Sequence, residues 1–270
     1  MKIFIINLKR NSKRKELMEK QLMEIEHNYE FFEAIDGSKL QNFTDYIDQH
    51  KCFQDLGRLL TAGEVGCWLS HKEIWEEMVA KNIEEACILE DDVLLDNNFN
   101  TILNQFSALI TEKSILYYLQ KNSVSNNEAF LPLSRLPHSK NYSLGIYKWP
   151  GFGTQGYIIN LSAVEQILAK INLFSKPVDN FLIHIWNHKV PIMNLSPTIV
   201  CPVDRGSELD PDRNEAIINI NLYHKSSICL MRISRKLRYF FWFLHQYGII
   251  KLILLTTCKK PVKLHNFIKS

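Results

Sequence analysis

Ala86-Cys87-Ile88-Leu89-Glu90-Asp91-Asp92-Val93 (ACILEDDV, residues 86–93) sets a short apolar run directly against three carboxylates. An apolar run of this length reads as a strand buried on both faces, as in the parallel sheets of α/β proteins. In an open α/β sheet, ligands bind outside the carboxyl ends of the strands. Acids that follow such a strand therefore stand at the mouth of a site. Side chains alternate along an extended segment, which predicts Glu90 and Asp92 on one side and Asp91 on the other. Two hard oxygen ligands on one side suit Mn²⁺ or Mg²⁺, which complete their shells with water and phosphate oxygens. A solvated loop also carries such acids. The position at the end of an apolar strand is what argues for a site.

The flanking sequence supports the same fold class. Upstream, Thr61-Ala62-Gly63-Glu64 fits a capping box, with Thr at the N-cap and Glu three residues on. Val65, Trp68, Leu69, Trp75, Met78 and Val79 follow at mostly helical spacing. Lys2 to Leu8 predicts a buried first strand, Asn11 and Ser12 an N-cap, and Arg14 to Glu26 a helix of strong helix formers. Tyr29 to Ile35 is the next strand, stopped by the turn signal Asp36-Gly37. Downstream, glycine-rich 151–156 precedes a strand at Tyr157 to Asn160 and a helix at about Ser162 to Lys170. Pro177 opens a further helical segment, and Pro191 to Pro202 reads as strand and loop. Residues 120–145 are polar with little period and are predicted as loop. The order strand, helix, strand gives an α/β fold. The predicted division is one domain over 1–222 and a basic segment over 223–270.

Charge sets that segment apart. The chain of 270 residues has a formal net charge of +3, yet its last acidic residue is Glu215. Residues 216–270 hold ten Lys or Arg and no Asp or Glu, against 22 basic and 29 acidic residues in the remainder. A segment of one sign implies a partner of the other. The six cysteines are scattered without C-x-x-C pairs or metal spacing and read as free thiols. Met1 to Leu8 is too short for a signal-peptide core, which leads to a cytoplasmic expectation.

At this point the chain resembles glycosyltransferase family 25, the bacterial lipooligosaccharide galactosyltransferases and their collagen-modifying relatives. The stretches that carry the resemblance are IINLKRNSKRKELM (5–18), FFEAIDG (31–37), LTAGEVGCWLSHKEIW (60–75), ACILEDDV (86–93), GTQGYIINLSAVEQIL (153–168) and PVDNFL (177–182). The resemblance implies a GT-A type, Rossmann-like fold, a UDP-sugar donor (usually UDP-galactose), a divalent metal at the acidic triplet and inversion at the anomeric carbon. It implies metal ligation by Glu90 and Asp92, with Asp91 beside the donor. It places Asn7 and Arg14 by the nucleotide, Asp36 and Gly37 near the base or ribose, and Glu64, Ser70 and His71 in the G-E-x-G-C-x-L-S-H segment. After about residue 195 the sequence departs from the family, at PTIVCPVDRGSELDPDR.

Several of these residues carry two readings. Asp179 is the candidate general base, since an inverting transferase needs a carboxylate to take the acceptor's proton; following Pro177, it also suits a helix cap. His71 is either a diphosphate contact or a packed histidine between Trp68 and Trp75. Glu64 has a structural job in the capping box besides any donor contact. Gly153 and Gly156 either let the backbone pass close to the donor sugar or simply turn the chain. Among Asp204, Arg205, Glu208, Asp210, Asp212 and Arg213, no acceptor contact can be singled out.

The run Tyr239 to Ile250 has no formal charge and is rich in aromatics, with Arg232, Arg235, Lys236 and Arg238 before it and Lys251, Lys259 and Lys260 after. Lys251, His245 and Gln246 spoil a spanning helix. The expectation is a helix on an anionic membrane surface, at the inner face of the bacterial inner membrane, within reach of a lipooligosaccharide acceptor. Packing on the body, or a homodimer through this segment, is the alternative. Nucleic acid is not an expected partner. A phosphohydrolase would need a nucleophile or a second metal cluster, and the sequence offers neither at suitable spacing. Within the family, a UDP-glucose-using transferase is the alternative donor reading, and a non-catalytic membrane-bound carbohydrate-binding protein of the same fold is the third class.

Overall fold

The computed structural model describes residues 1–107, 109, 113–120, 130–139, 141–147, 151–203 and 222–257. The chain opens with β1 (Lys2–Asn7), α1 (Ser12–Leu22) and β2 (Asn28–Glu33). Two short 3-10 turns, Gly37–Lys39 and Phe43–Tyr46, lead to α2 (Gln49–Leu56) and the long α3 (Ala62–Ala80). Then come β3 (Glu85–Glu90), β4 (Val93–Leu95), α4 (Phe99–Ser107), β5 (Leu116–Tyr118), β6 (Phe130–Arg135) and β7 (Ser143–Tyr147). β8 (Gly156–Asn160), α5 (Leu161–Leu168), α6 (Val178–Leu182), α7 (Ile185–His188), β9 (Ile192–Ser196), β10 (Val200–Pro202) and α8 (Leu222–Thr257) follow.

The main sheet has the order β2-β1-β3-β8-β5-β9-β7-β6. β1 pairs in parallel with both β2 and β3, and β5 with β9. β8 runs against β3 and β5, and β7 against β9 and β6. Only β7 and β8 therefore oppose the other six. This is the mixed, mainly parallel α/β architecture expected from the sequence. β4 and β10 form a separate antiparallel pair.

Strand alternation divides the core into two layers. Ile3, Ile5, Cys87, Leu89 and Ile158 face Met18 and Leu22 of α1 and Phe99, Ile102, Leu103 and Phe106 of α4. Phe4, Ala86, Ile88, Tyr157 and Ile159 face Trp68, Trp75 and Met78 of α3 and Val164 and Ile167 of α5. Trp68 stacks on Phe174 with centroids 4.5 Å apart, and its indole N–H donates to the Lys176 carbonyl at 2.7 Å. Trp75 donates to Tyr157 Oη at 3.1 Å. Both rings are core, as read from the sequence, and truncating either would cost about 3–5 kcal/mol.

The capping box of α3 is formed. Glu64 N–H donates to Thr61 Oγ1 at 3.2 Å, and Thr61 N–H to Glu64 Oε2 at 3.0 Å. Residues 120–145, predicted as loop, instead contain β6 and β7. β6 lies at the sheet edge and carries Pro132, with a register shift between Pro132 and Ser134. Pro is tolerated on an edge strand because no partner needs its missing N–H.

α8 is one long helix broken at Gly248, where φ is 79° and ψ 167°. Tyr239 and Phe243 are buried in the core, so this part of the basic segment packs on the body. No helix among the described residues is long and apolar enough to cross a membrane. Among the described cysteines, Cys52, Cys67, Cys87 and Cys201 form no disulfide. The segment Asp204 to Arg213 lies outside the described residues.

Candidate functional site

A cleft of about 230 Å³ opens at the carboxyl ends of β1, β2 and β3. Its walls come from the segments after β1 (Leu8, Arg10, Asn11, Arg14) and after β2 (Ala34 to Ser38). The start of α3 (Ala62, Gly63, Cys67, Ser70, His71) and Glu90, Asp91 and Asp92 close it. This is the crevice that open α/β sheets use for ligands.

All three acids face this cleft, which corrects the expected alternation. β3 ends at Glu90, and Asp91 and Asp92 form a turn, so the backbone rotates instead of continuing extended. The roles then separate. Asp91 is nearly buried: Oδ2 accepts from Asn7 Nδ2 at 2.6 Å and Oδ1 from Arg14 at 3.1 Å. Arg14 also reaches Asp92 Oδ2 at 3.3 Å. Asp92 Oδ1 is buried without a hydrogen-bond partner among the described residues. Glu90 Oε1 accepts from Thr154 Oγ1 at 2.6 Å. Burial, reinforced by the charge of Glu90, pushes the Asp92 carboxyl up to about 6, and burial also raises Asp91.

Behind Glu90 lies a buried polar string. His71 is fully buried; its Nδ1 is 2.9 Å from Tyr157 Oη and its Nε2 3.9 Å from Glu90 Oε1. Since Tyr157 Oη accepts from Trp75, its own O–H is best satisfied by donating to His71 Nδ1, which turns a His71 Nε2–H toward Glu90. His71 thus packs in the core and still reaches the cleft wall. Asp36, across the cleft, is held down to about 2 by the Ser38 hydroxyl and then by Arg10.

Glycines explain how the two halves of the wall meet. A Cβ on Gly37 would lie 1.8 Å from the Ala62 carbonyl oxygen, and one on Gly66 would lie 2.5 Å from that of Ile35. Only bare backbone lets α3 dock on the 35–37 turn. Ser70 bridges the same contact, accepting from Ile35 N–H at 2.9 Å and donating to the Gly66 carbonyl at 2.7 Å.

The remaining expected residues sit elsewhere. Glu64 is buried and engaged by Arg58 at 2.7 and 2.8 Å, away from the cleft lining. Gly153 turns the chain at φ +112°, and Gly156 packs against Val200, where a Cβ would meet Cγ1 at 2.8 Å. Asp179 lies in the first turn of α6, where its Oδ1 accepts from Asn180 N–H at 2.6 Å, and it is not among the residues lining the cleft. Its charge bears on the buried Tyr118 phenol, whose register partner is Tyr157. Sequence reading missed Thr154 and Arg10. Thr154 stands between the glycines of GFGTQG and Arg10 in NLKRN, but nothing in the spacing ties either to an acid.

The profile of glycosyltransferase family 25 (LPS biosynthesis protein) matches residues 1–182. The chain belongs to glycosyltransferase family 25. Among relatives, the procollagen galactosyltransferase 2 of Homo sapiens is 31% identical over 195 residues, covering 68% of this chain and 30% of that protein. The probable inactive glycosyltransferase 25 family member 3 of Bos taurus is 31% identical over 222 residues, covering 74% and 36%. This family 25 chain thus spans about a third of the length of the curated relatives it matches. Among solved structures, a glycosyltransferase involved in glycosylation of the major capsid of PBCV-1 aligns with a TM-score of 0.41 at 12% identity, covering 79% of this chain and 98% of that one. Mouse xyloside xylosyltransferase 1 aligns with a TM-score of 0.35 at 14% identity, covering 72% and 71%.

Proposed function

We propose that this protein transfers a hexose, galactose from UDP-galactose, onto a lipooligosaccharide-type glycolipid acceptor with inversion at the anomeric carbon. The observation that carries the reading is the convergence of Glu90, Asp91 and Asp92 on one cleft at the carboxyl end of β3. The named galactosyltransferase relatives favour galactose.

The residues fit a divalent cation, Mn²⁺ or Mg²⁺. Asp92 offers a buried carboxylate oxygen without a partner among the described residues, and Glu90 faces the same cleft. Asp91 is held by Asn7 and Arg14, so its part is to fix the turn that presents the other two. A bound cation supplies Lewis-acid stabilisation of the charge developing on the departing diphosphate. Arg10, Arg14 and the N-terminus of α3 add positive potential along the cleft.

In the transfer, the acceptor hydroxyl oxygen forms a bond to the anomeric carbon while the bond from that carbon to the UDP oxygen breaks. UDP leaves with the electron pair, and Asp179 takes the hydroxyl proton. The assignment of Asp179 rests on the resemblance of the PVDNFL stretch (177–182) to the family, not on the cleft lining, since Asp179 does not line the cleft. Asp179→Asn is expected to cut turnover about 10²- to 10⁴-fold with the fold intact. Wild-type turnover in that variant refutes the assignment.

A second reading has its own support. Arg14 pairs with both Asp91 and Asp92 from within the chain, and some family relatives carry names that say inactive. A non-catalytic carbohydrate-binding protein follows from that. Screening UDP-sugars for UDP release, with product linkage read by NMR, separates the two. Cation-dependent UDP release with UDP-galactose supports transfer; inertness toward every UDP-sugar favours the second reading.

A further inference from the structure

The side chains of α8 divide by helical position. Tyr239 and Phe243, one turn apart, are buried, and Tyr239 Oη donates to the Tyr147 carbonyl at 3.1 Å. Trp242 and Tyr247 pack partly buried beside them. On another side, Ile233, Leu237, Phe240 and Phe241 are exposed by 52, 52, 41 and 63%. At one residue per ~100°, these four fall within an arc of roughly 100°, centred about 125° from the packed face. Lys236 and Arg238, both exposed, border that stripe on its two sides.

Beyond the break, Ile249, Ile250, Ile253 and Leu254 are exposed by 58, 72, 54 and 43%, with Lys251 among them. Gly248 makes the break possible. Its φ of 79° with ψ of 167° is open only to glycine, while an added Cβ would meet nothing within 4 Å. The requirement there is conformational, not steric.

An apolar stripe of this extent on a charged surface calls for a cover. Charge selects its nature. From residue 216 to the end the chain has ten basic residues and no acidic one, so a second copy paired α8 to α8 would set like charge against like. A surface that is apolar inside and negative at its rim matches both features, and cations bordering an apolar helical stripe are the pattern of interfacial helices. We propose that α8 docks the protein on an anionic lipid surface, with the Ile233, Leu237, Phe240 and Phe241 stripe at the acyl boundary and Lys236 and Arg238 on the headgroups. The inference is independent of donor, cation and acceptor.

The test is co-sedimentation of the full chain with phosphatidylcholine vesicles, with and without phosphatidylglycerol. The wild type is expected to pellet with the anionic vesicles, weakly with neutral ones, and less as salt is raised. A Phe240→Ser/Phe241→Ser double variant, at two exposed positions, is expected to lose at least about tenfold in partitioning. Lys236→Gln/Arg238→Gln is expected to lose about thirtyfold on anionic vesicles only. Melting temperatures should stay at the wild-type value. Wild-type pelleting by the Phe variant overturns the proposal, as does failure of the wild type to pellet. A dimer in light scattering that the Phe variant abolishes, without vesicle binding, overturns it in favour of a second copy.

Discussion

The Asn7 carboxamide donates to Asp91 Oδ2 at 2.6 Å and to the Asn11 carbonyl at 3.2 Å, so the last residue of β1 ties the acidic turn after β3 to the start of α1. Both Asn7 and Asp91 are largely out of water. Asn7→Leu removes the donor and leaves a buried carboxylate oxygen unmatched, which costs about 1–3 kcal/mol. The urea midpoint should fall with the m-value unchanged. A midpoint equal to wild type would show that water replaces the Asn7 bond.

Gly37→Ala puts a methyl group 1.8 Å from the Ala62 carbonyl, inside any tolerable contact. Because the obstacle is backbone on both sides, the turn and the N-terminus of α3 must separate. We expect a loss of several kcal/mol, well above the typical ~1 kcal/mol of a point mutant. Thermal unfolding of Gly37→Ala and Gly66→Ala measures it, and the two together should cost less than their sum, because they break one shared contact.

Glu64 serves two structural partners at once, the Thr61 cap and the Arg58 guanidinium, with its side chain fully buried. Glu64→Ala strands Arg58, which is only 11% exposed, and should cost about 3–5 kcal/mol. Thr61→Ala removes only the cap and should cost about 1 kcal/mol. Equal losses in chemical denaturation would mean that the ion pair contributes nothing beyond the cap.

Glu85, at the opposite end of β3 from the acidic turn, lines a second cavity with Tyr117, Ile158 and Leu161. Burial pushes its carboxyl up to about 7. Below roughly pH 4 both folded and unfolded states hold the proton and no penalty exists. As pH rises the unfolded chain ionises first, so this contribution to stability is lost progressively up to about pH 7. Glu85→Gln should match the wild type near pH 4 and exceed it at pH 8, as read by urea midpoints at the two pH values. A constant difference between the two proteins across that range would contradict the shift.

The sequence announces most of the frame around the cleft because each part has a local cause. β1 and β3 are built on the apolar runs Ile3 to Ile6 and Ala86 to Leu89, and the α3 start carries its capping box within four residues. What escaped reading depends on distant partners. β6 carries Pro132 and gains its strand character only from pairing with β7 at the edge of the sheet. The turn at Asp91 and Asp92 is fixed by Asn7 and Arg14, roughly eighty residues away in sequence, so the local alternation rule misplaces Asp91. Of the two readings of His71 the structure shows the packed ring, fully buried with its Nε2 3.9 Å from Glu90 Oε1. Nothing local marks Thr154 as the partner of Glu90, since the bond exists only once β8 lies against β3.

Titration of UDP into the protein, with Mn²⁺ and with chelator, for the wild type and Asp92→Asn, is the most direct test of the site. Wild-type affinity should fall at least about tenfold on chelation, and Asp92→Asn should lose the cation-dependent part while melting as the wild type does. UDP binding unchanged by chelator, or an Asp92→Asn protein with full cation dependence, would contradict a cation held at the end of β3.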